Sequence, residues 1–178
     1  MIYLTYNDQP SGVYESQVIN RIKIQTNLNK NEKIQIIAII PLRNYFQNVK
    51  VFSSYRKQYK DLYVFPAFPF FRFWRVNLLT LIFLSFFFNF KKIQARGIFA
   101  TYLSLLLKKL KLSKEVHYDG RGAIFTECNE YSLIKDKYLK DVYNVEKKVV
   151  NSADFCFAVS NKLIKYWKNN YSFNSLSF

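Results

Sequence analysis

One histidine, two cysteines, four glycines and four prolines are spread over 178 residues. A single histidine, His117, excludes a histidine-rich metal centre. Cys128 and Cys156 are too far apart for a C-x-x-C site and make no disulfide framework, so a reduced, cytosolic setting is expected. So few glycines and prolines exclude a collagen-like or low-complexity chain. Acidic residues are scarce as well: 12 Asp and Glu stand against 27 Lys and Arg, a formal net charge of +15. No G-x-G-x-x-G follows the first apolar run, and neither a P-loop nor an H-E-x-x-H occurs. There is no D-x-D pair to hold a divalent metal under a sugar nucleotide. No cofactor and no metal ion are expected.

What the chain does have is apolar and basic. Half of it is hydrophobic and 19% is aromatic, enough for a buried core and too much for global disorder. The length suggests one domain. A charge this positive favours polyanions: nucleic acid, anionic lipid head groups or phosphorylated substrates. Lysines are denser at Lys91-Lys92, at Lys108-Lys109-Lys111-Lys114 and at Lys147-Lys148, each of which also reads as a solvated helix face. Nucleic-acid binding needs basic and aromatic residues interleaved on one surface. Here the aromatics concentrate in one apolar run, so no nucleic-acid partner is expected.

That run, 76–90 (VNLLTLIFLSFFFNF), is the one membrane candidate. A spanning helix needs about 20 consecutive apolar residues. The run is shorter, is broken by Asn77 and Asn89, and is flanked by Arg72, Arg75, Lys91 and Lys92. Three readings stand: a buried or partly buried helix, an interfacial helix on an anionic membrane surface, or a span. The N-terminus is not expected to be a signal peptide, because Asp8 and Pro10 follow at once on a short apolar run without a basic start.

Elsewhere short apolar runs alternate with amphipathic stretches. Strands are expected over 2–6, 34–40, 49–53, 62–65, 92–96, 115–118 and 154–159. Pro66 and Pro69 are expected to close the fourth of these. The near-continuous run 34–40 (IQIIAII) reads as a strand covered on both faces, hence a parallel sheet. Helices are expected from Gly12 with Tyr14, Val18 and Ile22 on one face, over 98–110 and 131–151, and from Ser160 to Trp167. The fold class is therefore α/β: a Rossmann-like three-layer domain with a mostly parallel sheet.

In such sheets, ligands bind outside the carboxyl ends of the strands. The unusual residues gather there: Ser11-Gly12, Arg96-Gly97, Asp119-Gly120-Arg121-Gly122 and Ser160. Ser11-Gly12 reads either as a helix cap or as backbone amides cradling an anion. Arg96 reads as a partner for a structural carboxylate or as a ligand group. Asp119 reads as a turn residue beside Gly120 or as a functional acid. Ser160 reads as an N-cap, His117 as a satisfied core histidine, and the cysteines as small core residues.

In order along the chain, these pieces resemble the N-terminal half of a family 4 glycosyltransferase of the GT-B type. Ser11-Gly12 with Ser16-Gln17-Val18 resembles the family's first loop and helix. Ile93-Gln94-Ala95-Arg96-Gly97 resembles its strand ending in Ala-Arg-Gly. Val116 to Gly122 with Glu127 resembles the D-x-R-G segment with a following Glu. Glu146, Ser152-Ala153-Asp154 and Val159-Ser160 resemble the passage that ends the family's N-terminal domain.

The resemblance implies a Rossmann-like acceptor-binding domain over 1–170, an irregular tail over 171–178, and no C-terminal donor-binding domain. No Glu has another Glu eight positions on, so the E-x(7)-E motif of the family's second half is missing. The chain is accordingly expected to be a fragment, a split subunit or a truncated reading frame, inactive alone. The implied reaction is retaining, metal-independent sugar transfer in surface polysaccharide assembly, on the inner face of the cytoplasmic membrane. The implied partners are a nucleotide sugar held by the missing domain, a lipid-linked saccharide acceptor, an anionic membrane surface and a separate C-terminal half. Asp119 is the implied catalytic residue, facing the acceptor hydroxyl. Ser11, Gly12, Arg96 and Arg121 are the implied substrate-binding residues; Glu127 joins them, with an ion pair to Arg121 as its simpler role. A non-catalytic, membrane-associated binding module of the same fold is the alternative.

Overall fold

The computed structural model describes residues 1–29, 33–68 and 71–171. The expected closing of a strand at Pro69 and the tail beyond Tyr171 lie outside the described residues. The chain forms two compact units, Met1–Phe90 and Lys91–Phe178. Each supplies three strands to an α/β fold with a six-stranded parallel sheet flanked by helices, the Rossmann-like layering expected.

In the first unit the order is β1 (Ile2–Tyr6), α1 (Gly12–Tyr14), a π-helical stretch (Glu15–Asn20), α2 (Arg21–Leu28), β2 (Gln35–Pro41), α3 (Tyr45–Gln58), β3 (Leu62–Ala67) and α4 (Asn77–Leu84). β1 pairs with β2 from Ile2 opposite Gln35 to Tyr6 opposite Ile39. β2 pairs with β3 from Ile36 opposite Leu62 to Pro41 opposite Ala67. Ile36 to Ile40 are fully buried, as the unbroken β-branched run requires. Tyr14, Val18 and Ile22 bury one face of the first helix. Tyr14 then meets Phe52 edge-on at 5.1 Å and stacks on Tyr55 at 6.1 Å.

Two expectations need correction here. The strand over 49–53 is part of α3. Its apolar residues follow a longer period than the five-residue window displays: Tyr45, Val49, Phe52, Tyr55 and Tyr59 all pack on the same core. Pro66 does not close β3 but lies inside it, opposite Ile40. β3 is an edge of the sheet, where a missing N–H is tolerated.

The Phe-rich run is shorter as a helix than its composition suggests. α4 ends at Leu84, and Ser85 turns the chain by donating its hydroxyl to the Ile82 carbonyl at 2.6 Å. Leu81, Leu84 and Phe90 are buried, while Leu79, Phe83, Phe86 and Phe87 are exposed. The helix is therefore partly buried, with one apolar side exposed. Among the described residues no helix is long and apolar enough to cross a membrane.

The second unit runs β4 (Lys92–Arg96), α5 (Gly97–Lys109), β5 (Glu115–Gly120), α6 (Ile124–Glu130), α7 (Asp136–Ser152), β6 (Phe155–Ala158) and α8 (Asn161–Asn170). β4 and β5 pair from Lys92 opposite Glu115 to Arg96 opposite Asp119, and β5 pairs with β6 from His117 opposite Phe155 to Gly120 opposite Ala158. The helix expected over 131–151 starts only at Asp136. Ser132 sits at φ 48°, in the left-handed region, and breaks the path between α6 and α7. α6 itself has no strong apolar period and is not evident in the sequence. His117 is buried against Phe155 and Phe157, with Glu115 on its Nε2; both cysteines are buried, and neither is in a disulfide.

Candidate functional site

The first unit holds Ser11 and Gly12. Ser11, not Gly12, is the N-cap: its backbone is extended and its Oγ accepts from Tyr14 N at 3.2 Å. Tyr55 Oη donates to the Ser11 carbonyl at 3.1 Å, tying the loop to α3. Gly12 has an ordinary φ, and a Cβ built there meets nothing within 4 Å. Backbone geometry thus places no demand on Gly12, and the space beside it is open.

The second unit holds the other four. Arg96 ends β4 directly across from Asp119. Gly97 follows at φ 77°, a conformation in which other residues are strained, so the chain turns sharply from β4 into α5. Asp119 is only 3% exposed, and Arg121 Nη2 donates to its Oδ2 at 2.7 Å. Arg121 then lines a cleft of about 330 Å3 with Gly122, Ser160, Lys162 and Tyr166. Ser160 caps α8 as expected, its Oγ accepting from Leu163 N at 3.3 Å. Glu127 is exposed and lies against Gly122, where an added Cβ would come within 2.1 Å of its Oε1. The ion pair seen for Arg121 is with Asp119, not with Glu127.

Neither a known family's sequence model nor a curated protein matches this chain.

Behind the cleft lies a buried polar chain. Glu146, on α7, is fully buried. Its carboxylate accepts from Ile124 N at 3.2 Å, Phe125 N at 2.8 Å and Tyr171 Oη at 3.2 Å. It therefore caps the amino end of α6 from a neighbouring helix. Tyr171 Oη also meets Tyr166 Oη at 3.3 Å, and Thr126 Oγ1 donates to Tyr166 Oη at 3.0 Å. Burial pushes the Glu146 carboxyl up from its ordinary 4.5, against the pull of those hydrogen bonds. Burial, with the Glu146 charge nearby, also pushes the Tyr118 phenol well up.

Asp154 does comparable work at the other end of the unit. It accepts from Lys108 Nζ at 2.5 Å and from Val116 N at 2.8 Å. Burial opposes its ionisation, but those bonds and the Lys108 charge outweigh it and hold the carboxyl below 3.8.

The structure thus brings Asp119 and Arg121 into contact and sets Arg96 in register with Asp119. It places Ser11 in a cap. Sequence reasoning overlooked Lys162 and Tyr166 in the cleft. Their signal was available: they stand at i, i+4 on α8, on the stripe beside the buried pair Leu163 and Trp167.

Proposed function

We propose that this chain is the acceptor-binding half of a retaining, metal-independent glycosyltransferase resembling family 4 GT-B enzymes. In this reading it serves surface polysaccharide assembly, including that of lipopolysaccharide, and holds a lipid-linked saccharide while another domain or chain holds the nucleotide sugar. One observation carries the reading: a nearly buried acid at a strand's carboxyl end fixes an arginine on the wall of a cleft. Arg121 has five N–H donors in a planar fork. With one donor held by Asp119, others serve acceptor hydroxyls or phosphate oxygens. Burial and the ion pair favour Asp119 as the group that orients the acceptor through Arg121. Lys162 and Tyr166 add a cation and a hydroxyl to the same wall. Arg96 braces the strand end beside Asp119, and the Ser11-Gly12 loop offers amides at the first strand's end.

The test is titration of the chain with lipid-linked saccharides in detergent, followed by the emission of Trp74 and Trp167. Saturable binding is expected. Arg121→Ala should weaken it about 10- to 100-fold, the range for hydrogen bonds to charged groups, and Asp119→Asn about tenfold. Binding unchanged in both variants, or a nucleotide sugar bound by the chain alone through the same residues, would overturn the proposal.

A second reading, a membrane-associated module without catalysis, has its own observation. Leu79, Phe83, Phe86 and Phe87 are all more than 60% exposed, an apolar surface that suits an interface. Replacing Phe83, Phe86 and Phe87 by serine should cut partition into neutral phosphatidylcholine vesicles at least tenfold, by the apolar area lost. Both readings place the protein at a membrane surface; loss of this partition with acceptor binding intact separates the two.

A further inference from the structure

We infer that the groove between α5 and α7 is a docking site for the phosphate headgroup of an anionic phospholipid in a bilayer. The inference rests on the membrane part of the reading above and on none of its chemistry. The groove encloses about 250 Å3. Tyr102, Leu105 and Leu106 form its apolar wall, and Lys108, Lys109 and Lys148 form its rim. Asp154 already engages Lys108. Lys109 and Lys148 are exposed and have no carboxylate partner among the described residues. The Lys148 ammonium stands 5.7 Å from the centre of the Tyr102 ring, which orders it at the mouth of the groove.

Charge and shape select the occupant. An apolar wall under two available ammonium groups matches an amphiphile with an anionic head. Lysines act as point charges and suit phosphate, whereas docking of a carboxylate-bearing helix favours the bidentate fork of arginine. The volume matches a headgroup with its glycerol and first methylenes. It is too short for the cation track and stacking platforms that a nucleic acid uses. The phosphate therefore lies between Lys109 and Lys148, and the glycerol and upper acyl carbons lie on Leu105 and Leu106.

The experiment measures vesicle co-sedimentation of the whole chain at low ionic strength, with phosphatidylcholine alone and with added phosphatidylglycerol. Each surface lysine contributes a factor of about 5 near an anionic bilayer. Lys109→Gln with Lys148→Gln should therefore lower binding to anionic vesicles about 25-fold and leave binding to neutral vesicles unchanged. Lys165→Gln with Lys168→Gln on α8 carries the same charge change elsewhere and should have a smaller effect. Leu106→Trp, in the otherwise native chain, should show blue-shifted emission with anionic vesicles. Equal losses in the two lysine pairs would mean diffuse attraction and would overturn the site. So would an unshifted Trp at position 106, full competition by soluble glycerol phosphate, or equal lysine dependence with duplex DNA. If neutral vesicles are bound and phosphatidylglycerol adds nothing, this site fails while the α4 surface stands. If only anionic vesicles are bound and the lysines matter, the α4 surface fails and this site stands.

Discussion

Glu146→Ala is expected to cost about 3 kcal/mol of folding stability, because it removes the acceptor of three partly or fully buried donors, at about 1 kcal/mol each. Those donors are Ile124 N, Phe125 N and the Tyr171 hydroxyl. The first two open α6; the third sits on the residue that follows α8. One carboxylate therefore fixes two segments far apart in sequence. Glu146→Gln keeps an acceptor oxygen but points an amide N–H at a donor, and about half the loss is expected.

The charge on Glu146 also sets a pH dependence. Its folded pKa is raised, so the native state keeps a proton that the unfolded chain has already released. Stability from this group is full below the ordinary 4.5. It falls as pH rises through the raised folded value, then levels off. Asp154 has the opposite sign: its contribution is present above 3.8 and is lost as pH falls through its lowered value. Urea midpoints of parent and Glu146→Gln, compared from pH 4 upward, isolate the first effect. The parent should lose stability with rising pH relative to the variant. Parallel curves, or an Ala variant within about 1 kcal/mol of the parent, would remove Glu146 from this role.

Gly120→Ala should cost about 3 kcal/mol, at the upper end of overpacking penalties. The added Cβ would lie 2.5 Å from Cη2 and Cζ2 of Trp167 and 3.1 Å from the Tyr118 ring. Trp167 is fully buried and tilted against Tyr118 with ring centroids 5.3 Å apart, so the indole has nowhere to move. Trp167→Leu removes the obstructing ring and leaves room for the methyl group. A double-mutant cycle on urea midpoints should give a combined loss at least about 1 kcal/mol smaller than the sum of the single losses. Additive losses would mean that Gly120 is not held by Trp167.

Gly120 shows what the sequence conveys and what it withholds. Between Asp119 and Arg121 it looks like a turn glycine, chosen for backbone freedom. It lies instead in β5 with an ordinary φ, and space is what it provides. No local pattern reveals that, because the ring that needs the space comes 47 positions later. The α/β architecture was legible because the strand at 34–40 and the helix after Gly97 carry periods that survive in short windows. The helix at 45–58 was not, since its apolar residues are spaced so that five consecutive ones look like a strand. In the candidate site, Asp119 and Arg121 were legible as residues, but their mutual ion pair was not. The sequence instead suggested Glu127 as the partner, and a helix turn on α6 leaves that side chain against Gly122.

The outer edge of β3 has a further consequence. Asp61 O accepts from Ile36 N, so alternation along the strand turns Leu62, Val64 and Pro66 toward the side away from β2. On that side the Val64 carbonyl is met by the Tyr45 hydroxyl at 3.4 Å, and Pro66 has no N–H to offer. An incoming strand would find one acceptor covered and one donor missing within three residues. Strand addition, the route by which exposed sheet edges seed fibrils, is interrupted at that point. At this edge, self-association is thereby directed to exposed phenylalanine side chains, through contacts that detergent reverses, rather than to the backbone of β3.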